Sequence, residues 1–223
     1  MSGLQEFLRS NQSYIDAVSA LSSVINLLGW TLGGILLYRA WRSNAIHSVS
    51  VGPLNFRLEQ EAVEAAAAAS RDWNAKGGSQ NVDVSRIRQT VGRAFTPEVA
   101  DNLIGRSILW VDDNPANNEL AVRALRKLQL EVEQATSTEQ GLQEMGRRHY
   151  DLIISDMGRG DNMRAGYELL EAVRARGNQQ PFLIFAGSDT PEFRREAKGR
   201  GAQLSTNDML ELIDTIVSYL GGK

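Results

Sequence analysis

The C-terminal half of this chain predicts an α/β fold, a doubly wound, five-stranded parallel sheet with helices on both faces. Two observations carry that expectation. After Gly105 the hydrophobic period switches back and forth between strand and helix, the pattern of right-handed βαβ units. In addition, two apolar runs end abruptly in carboxylates. Ile108-Leu109-Trp110-Val111 stops at Asp112-Asp113, and Leu152-Ile153-Ile154-Ser155 stops at Asp156. Charge is costly to bury without a partner, but the carboxyl ends of parallel strands face the crevice where such sheets bind ligands.

Four segments divide the chain: a short tail over 1–16, a transmembrane helix over 17–38, a juxtamembrane segment and helical connector over 39–104, and the α/β domain over 105–223. From Ala17 to Tyr38 no side chain is charged. A helix of that length is roughly 33 Å long, enough for a bilayer core of about 30 Å. Tyr38 and Trp41 suit the interface, and Arg39 and Arg42 follow at once. The positive-inside bias predicts a single-pass protein of the cell membrane with its C-terminal domain in the cytoplasm. A cleavable signal needs a basic start and a small-residue cleavage site, whereas Tyr38-Arg39-Ala40-Trp41-Arg42 follows here. Gly29 and Gly33 form a Gly-x-x-x-Gly pair, through which two copies can associate as a homodimer.

In the connector, Ser48 to Arg57 alternates polar and apolar residues around Gly52-Pro53, which predicts a short hairpin or an extended segment. Leu58 to Lys76 reads as a helix with five consecutive alanines, Ala65 to Ala69, more a stalk or docking helix than a core element. Gly77-Gly78-Ser79-Gln80-Asn81 is linker chemistry. Asp83 to Phe95 is an amphipathic helix, and Thr96-Pro97-Glu98 opens a short one through Leu103, with threonine as cap.

In the α/β domain the strands are Ser107 to Val111, Glu131 to Ala135, Leu152 to Ser155, Phe182 to Phe185 and a brief one around Gln203-Leu204. Helices run from Asn117 to Leu128, from a capping box at Thr136-Ser137-Thr138-Glu139 to about His149, and over Gly166 to Arg176, Pro191 to Gly199 and Asn207 to Leu220.

Composition narrows the chemistry. The formal charge is -3, and residues 1–104 carry nine basic and nine acidic side chains, so the acidic excess belongs to the α/β domain. Without a dense basic patch no nucleic-acid partner is expected. No cysteine is present, which removes thiolate ligands and disulfides, and His47 and His149 stand too far apart in sequence to suggest a histidine metal site. Three carboxylates at one sheet edge repel each other and raise each other's pKa, which a hard divalent cation relieves. Helix capping alone accounts for one acid of the Asp112-Asp113 pair, but not for both and Asp156.

Ser107 to about Leu220 resembles the receiver domain of bacterial response regulators. The resemblance rests on Asp112-Asp113 ending the first strand, Asp156 ending the third, and Gly201-Ala202 before the fifth. It implies the strand order 2-1-3-4-5 and Asp156 as phosphoacceptor from a sensor histidine kinase, a phosphotransfer protein or a small phosphodonor. It also implies a Mg²⁺ cofactor held by Asp113, Asp156 and the backbone carbonyl of Gly158, with Asp112 assisting. The chain departs from the family at two positions. Receivers carry Thr or Ser at the end of the fourth strand, where Ala186 stands here. They carry a Lys after the fifth, where Ser205-Thr206-Asn207-Asp208 stands. Ser188 and Thr206 are the candidate phosphoryl contacts. The loop after Asp156 holds Arg159 and Arg164 as possible replacement cations, for which solvated positions are the ordinary expectation. The expected function is therefore a membrane-anchored phosphorelay protein rather than a turnover enzyme. The alternative is a pseudo-receiver that serves as a phosphorylation-independent interaction module.

Overall fold

The structure is a computed structural model that describes residues 52–77 and 82–222. The expected membrane span over 17–38 and the Gly29/Gly33 pair lie outside the described residues. Among the described residues no helix is long and apolar enough to cross a membrane.

Among the described residues three helices precede the sheet: α1 (Gly52–Ala75), α2 (Val84–Ala94) and α3 (Pro97–Leu103). Then β1 (Ser107–Val111) leads through a 3-10 turn at Pro115–Asn118 into α4 (Glu119–Lys127). There follow β2 (Glu131–Ala135), α5 (Thr138–Arg147), β3 (Leu152–Ser155), α6 (Ala165–Ala175), β4 (Phe182–Phe185), α7 (Pro191–Gly199), β5 (Leu204–Thr206) and α8 (Met209–Gly221). All strands are parallel, in the order β2-β1-β3-β4-β5. Strands β1, β3 and β4 are buried from end to end, as central strands covered on both faces must be.

Alternation along the strands separates two apolar layers. Ile108, Trp110, Ile154, Leu183 and Phe185 join α4 and α8 on one face. Leu109, Val111, Ile153 and Ile184 join residues of α6 and α7 on the other. Gly141 on α5 lies so close to β1 that an added Cβ would meet Val111 Cγ2 at 2.9 Å.

The connector departs from its expectation most. Residues 52–57 form the first turns of α1 instead of a hairpin, since the helix-forming segment that follows extends back through Gly52-Pro53. Helix α1 does dock, but it also enters the core. Ala62, Ala66 and Ala69 are at most 2% exposed, because small side chains let α1 lie close against α4. Lys127 of α4 pairs with Glu61 at 2.5 Å. Helix α2 is capped by Asp83, which accepts from the amides of Ser85 and Arg86. Its buried Ile87 and Val91 face the same layer, and Thr90 donates to Asp214 of α8 at 3.0 Å. Thr96 does not cap α3 through its side chain, since the hydroxyl donates back to the Arg93 carbonyl at 2.9 Å. The capping box of α5 forms one residue later than the sequence suggests. Ser137 accepts from the Gln140 amide, and the Gln140 side chain accepts from the Thr136 amide.

Candidate phosphoacceptor site

Parallel pairing sets the acids beside each other. Val111 and Ser155 are in register, so Asp112 and Asp156 leave adjacent strands at the same height, the Asp156 amide donating to the Val111 carbonyl at 2.9 Å. Each of Asp112, Asp113 and Asp156 offers a carboxylate oxygen, and these lie within 4.8 Å of one another. Their surroundings differ. Asp112 is buried and anchored at both oxygens, accepting from the Asn114 amide at 2.7 Å and from the buried Asn118 amide nitrogen at 2.6 Å. Asp113 is exposed and accepts from the Gly160 amide at 2.7 Å. Asp156 opens toward a cleft. Burial, then the charge of Asp112 and more weakly that of Asp113, pushes its carboxyl up to about 6.

The loop that follows Asp156 is closely tied down. Arg159 and Asn162 exchange both backbone hydrogen bonds across a reversal in which Gly160 has φ 53°. Asn162 Oδ1 accepts from the Arg164 amide at 2.9 Å, and its amide nitrogen donates to Glu168 at 2.8 Å. This reversal is what aims the Gly160 amide at Asp113.

Arg159 corrects the expectation of a solvated loop cation. It is 8% exposed and donates to Ser155 Oγ, to the carbonyls of Asp156 and Ala165, and to Thr138 Oγ1 at 2.6 to 3.0 Å. Burial pulls its guanidinium below the ordinary arginine range, while Asp156, Asp112 and Asp113 hold it charged. The five-fold donor fork satisfies carbonyls that the turn leaves unpaired, which is why an arginine rather than a lysine fits beneath the acids. The sequence alone does not distinguish this arginine from Arg164, which remains exposed in an ion pair with Glu196.

Gly166 also escaped the sequence reading. A Cβ there would lie 2.7 Å from the Asp156 carbonyl oxygen and 3.0 Å from Met157 Cα. The start of α6 therefore packs directly on the backbone that carries Asp156, and only glycine permits it.

The cleft beside the acids measures about 870 Å³. Asp113, Asp156, Gly158 and Ser188 all line it, with Met157, Met163 and Phe193 as its apolar side. Thr206 does not belong to this group. It is fully buried, its hydroxyl donating to Glu211 at 2.5 Å and accepting from the Asp208 amide at 3.0 Å. Period-two alternation explains this: Thr206 is in register with Phe185 on one face, whereas Ser205 is in register with Ile184 on the other. Ser205 borders the cleft instead, its hydroxyl buried without a protein partner. Two strand spacings, roughly 10 Å, separate it from β3, too far for so short a side chain to reach Asp156 directly.

The response regulator receiver domain family matches residues 108–205, a span that includes all three acids. That segment is a receiver domain of two-component signalling. It is similar to part of the sensor protein EvgS of Escherichia coli K12, at 39% identity over 114 residues, 51% of this chain and 9% of that protein. It is also similar to the methanol utilization control regulatory protein MoxX of Paracoccus denitrificans, at 33% identity over 96 residues, 43% of each chain. The chain thus spans less than half the length of these curated relatives. The chemotaxis response regulator CheY4 of Vibrio cholerae covers 52% of this chain with 99% of its own, at 26% identity and a TM-score of 0.47. The receiver domain carries Ala186, 6% exposed, where the family's hydroxyl is expected.

The acid cluster fits a hard cation. Its donors are all oxygens, Asp156 is held well above its ordinary range by burial and then by its acidic neighbours, and the open side faces the cleft.

Proposed function

We propose that this receiver domain accepts a phosphoryl group on Asp156 in a phosphorelay and binds Mg²⁺ to do so. The observation that carries the proposal is the convergence of three carboxylates, oxygens within 4.8 Å, at the carboxyl edge of β1 and β3. Asp113, Asp156 and the Gly158 carbonyl would hold the ion, with Asp112 supporting it from a position already fixed by Asn114 and Asn118. Mg²⁺, when bound, would neutralise charge on the transferred group.

The remaining chemistry belongs to the chain. A carboxylate oxygen of Asp156 attacks phosphorus and the bond from phosphorus to the donor's imidazole nitrogen or acyl oxygen breaks; the imidazole takes up a proton from solvent, whereas an acyl donor leaves as its carboxylate anion. The product is a mixed carboxylic–phosphoric anhydride. Arg159 holds the Asp156 main chain in place through its carbonyl, and Gly166 supports the same carbonyl from α6. The donor would be a sensor histidine kinase or a phosphotransfer protein, in keeping with the similarity to a sensor protein and a control regulatory protein. We take the chain to be a relay component rather than a turnover enzyme. Its uncharged stretch over 17–38 would tether it to the membrane with the receiver domain in the cytoplasm, and Gly29/Gly33 would permit a homodimer.

Intact-mass measurement of the full chain with Mg²⁺ and acetyl phosphate tests this reading. One phosphoryl adduct is expected, lost on chelation of the metal and absent in Asp156→Asn. An unmodified wild-type chain, with acetyl phosphate and with a phosphorylated histidine donor alike, would overturn it. The second reading, a pseudo-receiver acting as an interaction module, is favoured by one specific observation: Ala186 supplies no hydroxyl and Thr206 is committed to Glu211.

A further inference from the structure

We infer that Arg164 is the cation that reads the phosphoryl group, and that it does so by leaving Glu196. The inference rests on the phosphoacceptor reading of Asp156 and deepens it.

A phosphoryl group on Asp156 adds negative charge to a site already built from three carboxylates. A single divalent ion and the buried Arg159 offset those acids, so the added charge calls for another donor. Arg159 is not available for this. Its guanidinium is committed below the acids to two side chains and to main-chain carbonyls. Among the described residues lining the cleft, Arg164 is the one cation.

Its placement allows the reach. Arg164 stands two residues before Gly166, whose Cα packs on the Asp156 carbonyl, so the root of its long side chain is close to the phosphoacceptor. Its amide is fixed by Asn162, while its side chain extends along the cleft to Glu196 on α7 and over the ring of Tyr167. That ion pair is solvent-exposed on the arginine side and is therefore a weak hold. A phosphoryl group offers two oxygens to the guanidinium fork and carries more negative charge than the single carboxylate of Glu196, on a floor that is partly desolvated. Glu196 is not stranded by the departure, because Arg200 already pairs with it at 3.0 Å. The movement therefore exchanges a weak contact on α7 for a strong one on the phosphoacceptor. It also gives α7 a different charge neighbour in the two states, a consequence that reaches the surface.

The two partners make opposite predictions, which separates this role from a structural one. Beryllofluoride, a non-covalent phosphoryl mimic, is titrated into the full chain in detergent micelles with saturating Mg²⁺, and bound fluoride is counted by ¹⁹F NMR. Loss of one charge-assisted contact in Arg164→Gln should weaken binding by roughly tenfold. Glu196→Gln, which frees Arg164, should tighten it severalfold. Unchanged affinity in Arg164→Gln would overturn the inference, as would weakening in both variants, the mark of a pair that merely braces the loop. An Asp156 adduct in the mass measurement together with an indifferent Arg164→Gln would sink the inference alone. Absence of any beryllofluoride binding in the wild type would remove the phosphoacceptor reading with it.

Discussion

Phe185 and Ala186 are consecutive residues at the end of β4, yet they belong to opposite faces of the sheet with opposite fates. Phe185 is packed from both sides. Trp110 of β1 meets it edge-on at 5.9 Å, and Trp73 of α1 lies against it at 4.3 Å while donating to the Asn207 carbonyl at 2.7 Å. Ala186 faces the cleft of about 870 Å³ and leaves it open. One face of the receiver domain is covered twice, first by α4 and α8 and then by helices of the connector. Among the described residues the other is covered by the domain's own helices alone and keeps space at the acids. The connector is therefore a working part of the receiver fold. The last turn of α1 also touches the loop after β5 through Trp73, and Lys76 just beyond it donates to the Asn117 carbonyl at 3.3 Å beside the acid-bearing edge.

Three substitutions or titrations can break this contrast. The largest effect on stability should come from Trp73→Ala, which removes an aromatic from the doubly covered face. A loss of about 2–3 kcal/mol is expected, below the full cost for a buried tryptophan because Trp73 is partly exposed. Urea unfolding checks it, and Mg²⁺ affinity should stay within about a factor of two because Trp73 packs on Phe185 and donates to the Asn207 carbonyl rather than to an acid. If Mg²⁺ affinity instead collapsed, the two faces would be energetically one unit.

Gly166→Ala should reverse that pattern on the cleft side. A methyl group 2.7 Å from the Asp156 carbonyl forces backbone apart, at a cost of about 1–3 kcal/mol. Isothermal titration should show weakened Mg²⁺ binding as well, since the displaced backbone carries Asp156, one of the proposed ligands.

The smallest effect is the titration of Asp156 in the metal-free chain. Its folded-state value of about 6 exceeds its ordinary 3.8, so folding takes up a proton between those values. Stability should therefore fall as pH rises from about 4 through about 6, by no more than about 2 kcal/mol once part-exposure is allowed for. Urea midpoints measured in a chelator should show this slope in the wild type and a flatter one in Asp156→Asn. Parallel slopes in both would place the strain on another acid.

The sequence by itself determined the five strands, their parallel alternation with helices, and the three acids at two strand ends. Apolar runs of strand length and the cost of burying charge are local signals, legible without knowing any contact. Helix ends were legible to within a few residues, and α1 began earlier than its alternating leader suggested. Only the tertiary structure decided which neighbours face which way. It turned Thr206 toward Glu211 and Ser205 toward the cleft, because a strand of three residues gives too few alternations to fix its faces from sequence. It buried Arg159 and left Arg164 in solvent, although both are arginines of one polar loop. It also brought Trp73 onto Phe185, and Gly166 onto Asp156, through contacts between segments whose own sequences carry no sign of the partner. Strand placement follows from burial along the chain; side-chain destiny at this site follows from packing across it.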